Sequence, residues 1–214
     1  MAHFENPFGA SYDRVAPTYA ARIADELRGK PLDRLLLSRL ADDTRGIGPI
    51  GDVGCGPGHV ARYLSSAGAE VIVSDISPGM LREAGVIAPT APRTAGDMRQ
   101  LPFADQSVAG ICAMYSVIHL PPDERPHVFR EFHRVLQPAG VALVGFHVGD
   151  DVLHLDAWWE IPVSVDFRFL RTAIIADELR AAGFAIEDEI ERAPYPGVEH
   201  PSRRGYIYAR RAAA

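Results

Sequence analysis

A glycine-rich segment with a carboxylate on either side is the part of this sequence best suited to chemistry. Residues 52–58 read Asp-Val-Gly-Cys-Gly-Pro-Gly, and Asp75 follows later in the chain. Glycines at this spacing let the backbone turn sharply and approach a ligand, because no Cβ stands in the way. Taken alone, the spacing is also that of an ordinary tight turn.

The two carboxylates indicate which ligand the segment suits. The third glycine comes one residue too early for a G-x-G-x-x-G pyrophosphate site, and Asp52 would repel phosphate. Asp75 stands about twenty residues beyond the glycines, where an acceptor for ribose hydroxyls is expected. Together they predict a site for a nucleoside that carries a positive charge.

The pattern around these residues alternates between strand and helix. Apolar residues recur at helical spacing between short apolar runs, which is typical of units with parallel strands. The strands are predicted near residues 50–53, 70–74, 93–96, 108–114, 140–146, 185–192 and 205–210. We expect an α/β fold with a single doubly wound, mostly parallel, seven-stranded Rossmann-like sheet, whose last two strands form an antiparallel pair.

Other segments are expected to flank this sheet. Helical spacing over residues 12–27 predicts a helix or helix pair with a break at Pro17. A second helix over residues 31–40 is predicted to bury a stripe of leucines that includes Leu35. Residues 149–171, after strand five, are irregular and predict a small insert in the form of a hairpin or lid.

Composition and charge exclude several classes of protein. The 214 residues are 47% hydrophobic, which is ordinary globular usage, and carry a net charge of −6 without any run of basic residues. We therefore expect no nucleic-acid partner. The longest nearly uncharged apolar stretch, residues 108–120, is too short to cross a bilayer, and the first residues lack a signal-peptide pattern. We expect no membrane partner, a cytoplasmic location, and a monomer or homodimer.

Several segments, in order, resemble the motifs of class I S-adenosylmethionine-dependent methyltransferases, in the type 11 or UbiE-like branch. DVGCGPG resembles the first motif, VSDISPGML the second and GDMRQLPF the third. Further matching segments are YDRVAPTYAAR, AMYSVIHLPP, EFHRVLQPAGVALVGFH, LRAAGF and GYIYARR. The resemblance covers roughly residues 10–210. It departs from the family at Ala139, where the R-x-L-x-P-G-G segment has its first glycine.

The resemblance implies S-adenosyl-L-methionine as the cofactor and S-adenosyl-L-homocysteine as its product. By the same resemblance, Asp75 would bind the ribose hydroxyls, Ile76 and Met80 would flank the adenine, and Asp97 and the Met98 amide would bond to it. The full set of expected cofactor-binding residues is Tyr12, Tyr19, Asp52, Gly54, Cys55, Gly56, Gly58, Asp75, Ile76, Met80, Asp97, Met98, Tyr115 and Ser116. Tyr12 and Tyr19 have the alternative of contacting the methyl acceptor or of packing only.

The implied chemistry is a direct displacement, which needs orientation of the reactants and leaves a general base optional. His119 follows strand four and His147 ends strand five, so both are candidate bases at the carboxyl ends of the strands. Each has the alternative of simple packing. His154, Trp158 and Trp159 lie in the insert and are candidate substrate-binding residues. No metal site is expected.

We expect a single methyltransferase domain over residues 1–214 that transfers a methyl group to oxygen or nitrogen of a small-molecule acceptor. Its parts are predicted to be capping helices over 1–45, a cofactor-binding core over 46–148, a substrate-side insert over 149–171, and a C-terminal helix and strands over 172–214. The alternatives are a nucleic-acid methyltransferase and a protein that binds S-adenosylmethionine or S-adenosylhomocysteine without methyl transfer.

Overall fold

The computed structural model describes residues 7–212. The helices are α1 (Pro7–Ile23), α2 (Pro31–Thr44), α3 (His59–Ser66), α4 (Pro78–Ile87), α5 (Arg125–Val135) and α6 (Thr172–Ala181). The strands are β1 (Ile50–Val53), β2 (Val71–Asp75), β3 (Arg93–Ala95), β4 (Val108–Met114), β5 (Leu136–His147), β6 (Val152–Trp158), β7 (Ile161–Arg168), β8 (Phe184–Arg192) and β9 (Arg204–Arg211). Over residues 7–212, no helix is long and apolar enough to cross a membrane.

Seven strands form one sheet in the order β3-β2-β1-β4-β5-β9-β8. Strands β1 to β5 are all parallel to one another. Strand β9 is antiparallel to both of its neighbours, β5 and β8. The predicted seven-stranded, mostly parallel α/β sheet is confirmed. The chain reverses its direction of winding between β1 and β4, and such a switch point leaves a crevice at the carboxyl ends of the strands.

Helices cover both faces of this sheet, so its central strands are buried on both sides. Phe129 and Phe132 of α5 pack with Leu179 of α6 on one face. Leu40 of α2 and Leu64 of α3 belong to the core on the other face. This packing explains why β4 is a continuous apolar run and why every residue of β1 is buried, Asp52 included.

The N-terminal helix differs from the prediction. The predicted break at Pro17 is wrong, because α1 continues through Pro17 as a single helix. A proline costs the helix one backbone hydrogen bond, but α1 is held along its length by contacts with α4 and β7. A short 3₁₀ turn, Glu26–Gly29, joins α1 to α2.

The buried stripe of α2 is also displaced from the prediction. Leu36, Leu37 and Leu40 are buried, whereas Leu35 is 65% exposed. Asp33, three residues before Leu36 and four before Leu37, lies on the same face and is fully buried. The side of α2 that packs on the sheet therefore includes a carboxylate.

The segment after β5 forms a two-stranded antiparallel hairpin of β6 and β7. Trp159 and Glu160 connect the strands with φ angles of 51° and 67°, as a two-residue hairpin turn requires. The Ser164 N–H donates to Ser11 Oγ at 3.0 Å, which ties the hairpin to α1. The hairpin and α1 thus form one layer beside the sheet.

Strand β5 begins at Leu136, earlier than the predicted residue 140. Its register against β4 shifts between the pairs Val108–Leu136 and Gly110–Val141, so the turn after α5 is already paired with the sheet. Ala139 lies in this turn with φ of 61°, the left-handed region that favours glycine.

Candidate functional site

A cavity of about 430 Å³ lies at the carboxyl ends of β1, β2 and β4 and is closed on one side by α1. Most of the predicted cofactor-binding residues line it, namely Tyr12, Tyr19, Asp52, Gly54, Cys55, Gly56, Asp75, Ile76, Asp97, Met98, Tyr115 and Ser116. Two others do not. Gly58 caps the start of α3 with φ of 85°, and Met80 is buried in the contact between α1 and α4.

The glycine segment forms a turn that needs its glycines. Gly54 and Gly56 have φ angles of 67° and 53°. A Cβ on Gly54 would also overlap the side chain of Ser116. The backbone can therefore turn sharply after β1 and pass close to Ser116, as the sequence pattern predicts.

Asp75 at the end of β2 is fixed by backbone amides. Its Oδ2 accepts from the Gly56 N–H and its Oδ1 from the Ser77 N–H, each at 2.8 Å. A carboxylate oxygen has two acceptor positions, so each oxygen keeps one for a ligand hydroxyl. Burial nevertheless raises the pKa of Asp75 to about 6.

Asp52 is the second carboxylate under the glycine turn. It is 2% exposed, and its Oδ2 has no hydrogen-bond partner within residues 7–212. Burial, and then the negative charge of Asp75, raise the pKa of Asp52 to about 7. A cation in the cavity would offset the cost of ionising both groups.

Asp97 is held by an arginine. Its two oxygens accept from the Arg99 guanidinium, with the shortest contact at 2.5 Å, and Arg99 also reaches Glu124 at 3.3 Å. Burial acts to raise the pKa of Asp97, but the bonds from Arg99 outweigh it and the net pKa is lowered. This end of the cavity therefore carries a fixed, ionised carboxylate.

His119 lines the cavity and bonds to two elements. Its Nδ1 lies 2.8 Å from the Asp166 backbone carbonyl in β7, and its Nε2 lies 2.9 Å from the Tyr12 hydroxyl in α1. Burial lowers the pKa of His119 to about 4, so the ring is neutral at pH 7. A carbonyl only accepts, so Nδ1 carries the proton and Nε2 accepts from Tyr12.

His147 lies outside the cavity. Its Nδ1 is 2.8 Å from Ser202 Oγ and 2.9 Å from a guanidinium nitrogen of Arg204, and its ring packs beside Tyr115. Burial, and then the charge of Arg204, lower the pKa of His147 to about 3. The two candidate bases are therefore separated, and only His119 borders the space where a ligand would bind.

The three candidate substrate residues of the hairpin do not line the cavity. His154 is exposed and pairs with Asp166 at 2.7 Å. Trp158 packs behind the cavity wall, with its ring centroid 6.0 Å from Tyr12 and 5.1 Å from Tyr19. Trp159 stacks on Trp158 at 4.9 Å. The tryptophans thus support the two tyrosines of α1.

Comparison with known proteins agrees with this geometry. Residues 50–140 match the protein family described as a methyltransferase domain. The matched segment runs from β1 into β5 and so contains the glycine turn, Asp75 and Asp97. A malonyl-[acyl-carrier protein] O-methyltransferase of Pseudescherichia vulneris is 29% identical over 172 residues, covering 80% of this chain and 64% of that protein. A mitochondrial protein of Danio rerio named arginine-hydroxylase NDUFAF5 is 30% identical over 154 residues, covering 70% of this chain and 47% of that protein.

The chain thus spans between about half and two thirds of the length of these relatives. Solved structures share the fold of this chain. A SAM-dependent methyltransferase from Methanosarcina mazei superposes with a TM-score of 0.73 at 16% identity, covering 82% of this chain and 98% of that one. The DhpI-SAH complex gives 0.73 at 18% identity, covering 97% of both chains.

Two further carboxylates, which the sequence patterns did not indicate, also line this cavity. Glu26 accepts from His59 Nε2 at 3.1 Å and pairs with Lys30 at 2.9 Å. Burial opposes ionisation of Glu26, but His59 and Lys30 lower its pKa to about 2. Asp33 accepts from the Tyr206 hydroxyl at 2.9 Å. The position of Asp33 on the apolar face of α2 is a signal that could have revealed it.

Proposed function

We propose that this chain is an S-adenosylmethionine-dependent methyltransferase that acts on oxygen or nitrogen of a small-molecule acceptor. The observation that carries the proposal is the pair of buried carboxylates, Asp52 and Asp75, under the glycine turn of a methyltransferase domain. Such a pair suits a ligand that combines ribose hydroxyls with a positive charge and would reject a diphosphate.

The donor set of the cavity fits that cofactor. Asp75 offers one acceptor position on each oxygen to the ribose hydroxyls, while its other positions hold the Gly56 and Ser77 amides. The unpartnered Oδ2 of Asp52 supplies negative charge next to the turn. When bound, S-adenosylmethionine supplies a methyl group activated by a sulphonium charge.

The residues around the cavity would exclude water and hold the acceptor. Tyr12 and Tyr19 of α1, backed by Trp158, close the side opposite the sheet. His119 is the better placed of the two candidate bases, because it lines the cavity and is neutral at pH 7. His147 would help to position the side chain of Tyr115, because the two rings pack against each other.

The finer assignments are part of the same proposal. The order of the motifs supports the type 11 or UbiE-like branch, and we assign α1 and α2 as a cap and the β6–β7 hairpin as the substrate-side insert. The relative named as a malonyl-[acyl-carrier protein] O-methyltransferase supports oxygen as the methylated atom. A single methyltransferase domain in the cytoplasm accords with these assignments.

Isothermal titration calorimetry with three ligands tests the proposal. We expect S-adenosylmethionine and S-adenosylhomocysteine to bind with micromolar affinity and NAD not to bind. Binding of NAD alone would show that the glycine turn holds a dinucleotide, and a dehydrogenase would replace this proposal.

A second function is favoured by one relative. The protein named arginine-hydroxylase shows that a relative of similar sequence can carry a name other than methyltransferase. Binding of S-adenosylmethionine without methyl transfer is therefore the alternative. Incubation of the bound complex with a mixed acceptor library separates the two, since only a transferase converts the cofactor to S-adenosylhomocysteine in proportion to methylated product.

A further inference from the structure

One wall of the cavity is built of aromatic rings. Phe8, Tyr12 and Tyr19 of α1 line it, and His119 faces them from the 3₁₀ turn Val117–His119. The Tyr12 ring centroid lies 5.5 Å from Phe8 and from His119, in tilted and edge-on arrangements. Aromatic walls of this kind hold a planar ring by offset and edge contacts.

The charge left unpaired around the cavity is negative. Lys30 pairs with Glu26 at 2.9 Å and Arg192 with Asp33 at 2.8 Å, but Asp52 and Asp75 have no basic ion-pair partner within residues 7–212. Six carboxyl groups line it, those of Glu26, Asp33, Asp52, Asp75, Asp97 and Glu124. Arg99 is the only arginine or lysine that lines it within residues 7–212, and both Asp97 and Glu124 already pair with its guanidinium. No unpaired basic side chain of residues 7–212 therefore lines the cavity to offset the charge of a carboxylate acceptor near Asp52 and Asp75, and burial of that charge is costly.

The same imbalance acts against an amine acceptor. Neighbouring carboxylates favour the protonated form of an amine, and an ammonium nitrogen has no lone pair with which to attack a methyl group. An uncharged hydroxyl has neither difficulty, but it must lose its proton as its oxygen is methylated.

Tyr12 and His119 together can accept that proton. The Asp166 carbonyl fixes the proton of His119 on Nδ1, so Nε2 accepts the Tyr12 hydroxyl at 2.9 Å. Tyr12 lines the cavity, and its hydroxyl oxygen keeps acceptor capacity of its own while it donates to His119. A proton that reaches this oxygen can be passed on, because the proton of Tyr12 already points to an imidazole lone pair.

We propose, on the basis of the methyl transfer proposed above, that the acceptor is an uncharged aromatic hydroxyl compound whose proton leaves through Tyr12 to His119. The acceptor oxygen bonds to the methyl carbon as the carbon–sulphur bond breaks, and that electron pair stays on sulphur. The hydroxyl proton passes to Tyr12 Oη while the Tyr12 proton passes to His119 Nε2. The positive charge lost from sulphur is thus regained on the imidazolium, within a cavity lined by carboxyl groups.

Three acceptors that share a ring test the substrate class. The probes are 4-methylphenol, 4-methylbenzoate and 4-methylbenzylamine, and each is titrated calorimetrically into the complex of the protein with S-adenosylhomocysteine. We expect 4-methylphenol to bind at least tenfold more tightly than the other two. With S-adenosylmethionine it should also be methylated with at least tenfold higher kcat/KM.

Two variants test the proton path. Tyr12→Phe keeps the ring and removes the hydroxyl, and His119→Gln keeps an acceptor for Tyr12 but cannot take up a proton. We expect each to lower kcat for 4-methylphenol about 100-fold, the usual contribution of a general base, with the Kd of S-adenosylhomocysteine changed less than threefold. Tyr63→Phe on α3 and His133→Gln on α5 are matched controls outside the cavity.

The outcomes separate this proposal from the one on which it rests. If wild-type protein does not bind S-adenosylhomocysteine, the proposed function fails. If it binds but prefers 4-methylbenzoate or 4-methylbenzylamine, only the acceptor class is overturned. If Tyr12→Phe keeps full kcat, or loses cofactor affinity in parallel with kcat, the proton path is overturned. Thermal melting identifies a variant that fails to fold. If His119→Gln does not fold, the result for Tyr12→Phe alone decides whether the proton path is correct.

Discussion

The carboxylate of Asp13 in α1 accepts the backbone N–H of Gly79, at the N-terminus of α4, at 2.6 Å. The same oxygen accepts the Ser77 hydroxyl at 2.6 Å, and Ser77 Oγ in turn accepts the Met80 N–H as the N-cap of α4. Negative charge at a helix N-terminus is favourable. The helix that closes the cavity is thereby fastened to the segment that directly follows Asp75.

Replacement of Asp13 tests this connection. Asp13→Ala removes two charge-assisted hydrogen bonds, and we expect the free energy of unfolding to fall by about 2 kcal/mol. The Kd of S-adenosylhomocysteine should also rise several-fold, because α1 closes the cavity. Chemical denaturation and calorimetry measure the two effects. Asp25→Ala is the control, since within residues 7–212 the side chain of this exposed residue makes only surface ion pairs. Equal losses in both variants would contradict the connection.

Replacement of Asp75 tests the ribose site. Asp75→Ala removes both acceptor oxygens, and hydrogen bonds to a charged group each contribute about 1.5–3 kcal/mol. We expect the Kd of S-adenosylhomocysteine to rise at least 30-fold. The exposed Asp42, paired only with Arg45 among the ion pairs of residues 7–212, provides the control Asp42→Ala. An unchanged Kd in the folded Asp75 variant would show that the ribose binds elsewhere.

Asp52 should make the stability of the ligand-free protein depend on pH. Its pKa is about 7 in the folded protein, above the value of 3.8 expected for an ordinary aspartate. Well below pH 4 both the folded and the unfolded chain hold the proton of Asp52, so Asp52 does not lower the free energy of unfolding. As pH rises toward 7, the unfolded chain releases the proton first, and the free energy of unfolding falls by up to about 4 kcal/mol.

Asp52→Asn removes this titration. Relative to wild type, we expect the variant to gain stability steadily between pH 4 and pH 8, by a few kcal/mol in total. Denaturant unfolding at several pH values, without ligand, measures the difference. Asp42→Asn, the same exchange at an exposed position outside the cavity, is the matched control. A difference from wild type that stays constant with pH for Asp52→Asn would show that Asp52 is ionised in the folded protein.

The sequence is sufficient to predict the features that depend on local geometry. The glycine turn, Asp75 at a strand end and the mostly parallel sheet all follow from patterns within a few residues, and the structure contains each of them. Gly54 and Gly56 illustrate why, since the left-handed conformations that they adopt are restricted chiefly to glycine.

Features that depend on distant contacts could not be predicted. The contact between Tyr12 and His119 joins residues 107 positions apart, and no periodicity specifies such a partner. The packing of Trp158 on Tyr12 and Tyr19 is of the same kind, because the strand register of the hairpin decides which way each ring faces. Pro17 stays helical because the neighbours of α1 outweigh its local effect.

Ala139 provides a test in which stability should rise. It has φ of 61° in the turn at the start of β5, between the paired residues Leu136 and Val141, where the motif that this segment resembles has glycine. The left-handed conformation costs a residue with a Cβ about 1–2 kcal/mol, and glycine adopts it without that cost. We expect Ala139→Gly to raise the free energy of unfolding by about 1 kcal/mol and to leave cofactor affinity unchanged, since Ala139 does not line the cavity.

The matched control for this test is an alanine in ordinary helical conformation. Ala173 is exposed in α6, where glycine is about 1 kcal/mol less favourable than alanine. Ala173→Gly should therefore lower the free energy of unfolding, and the two substitutions should have opposite signs. Denaturant unfolding at one pH measures both. A loss of stability in Ala139→Gly would mean that the turn holds Ala139 by side-chain packing that outweighs its backbone strain.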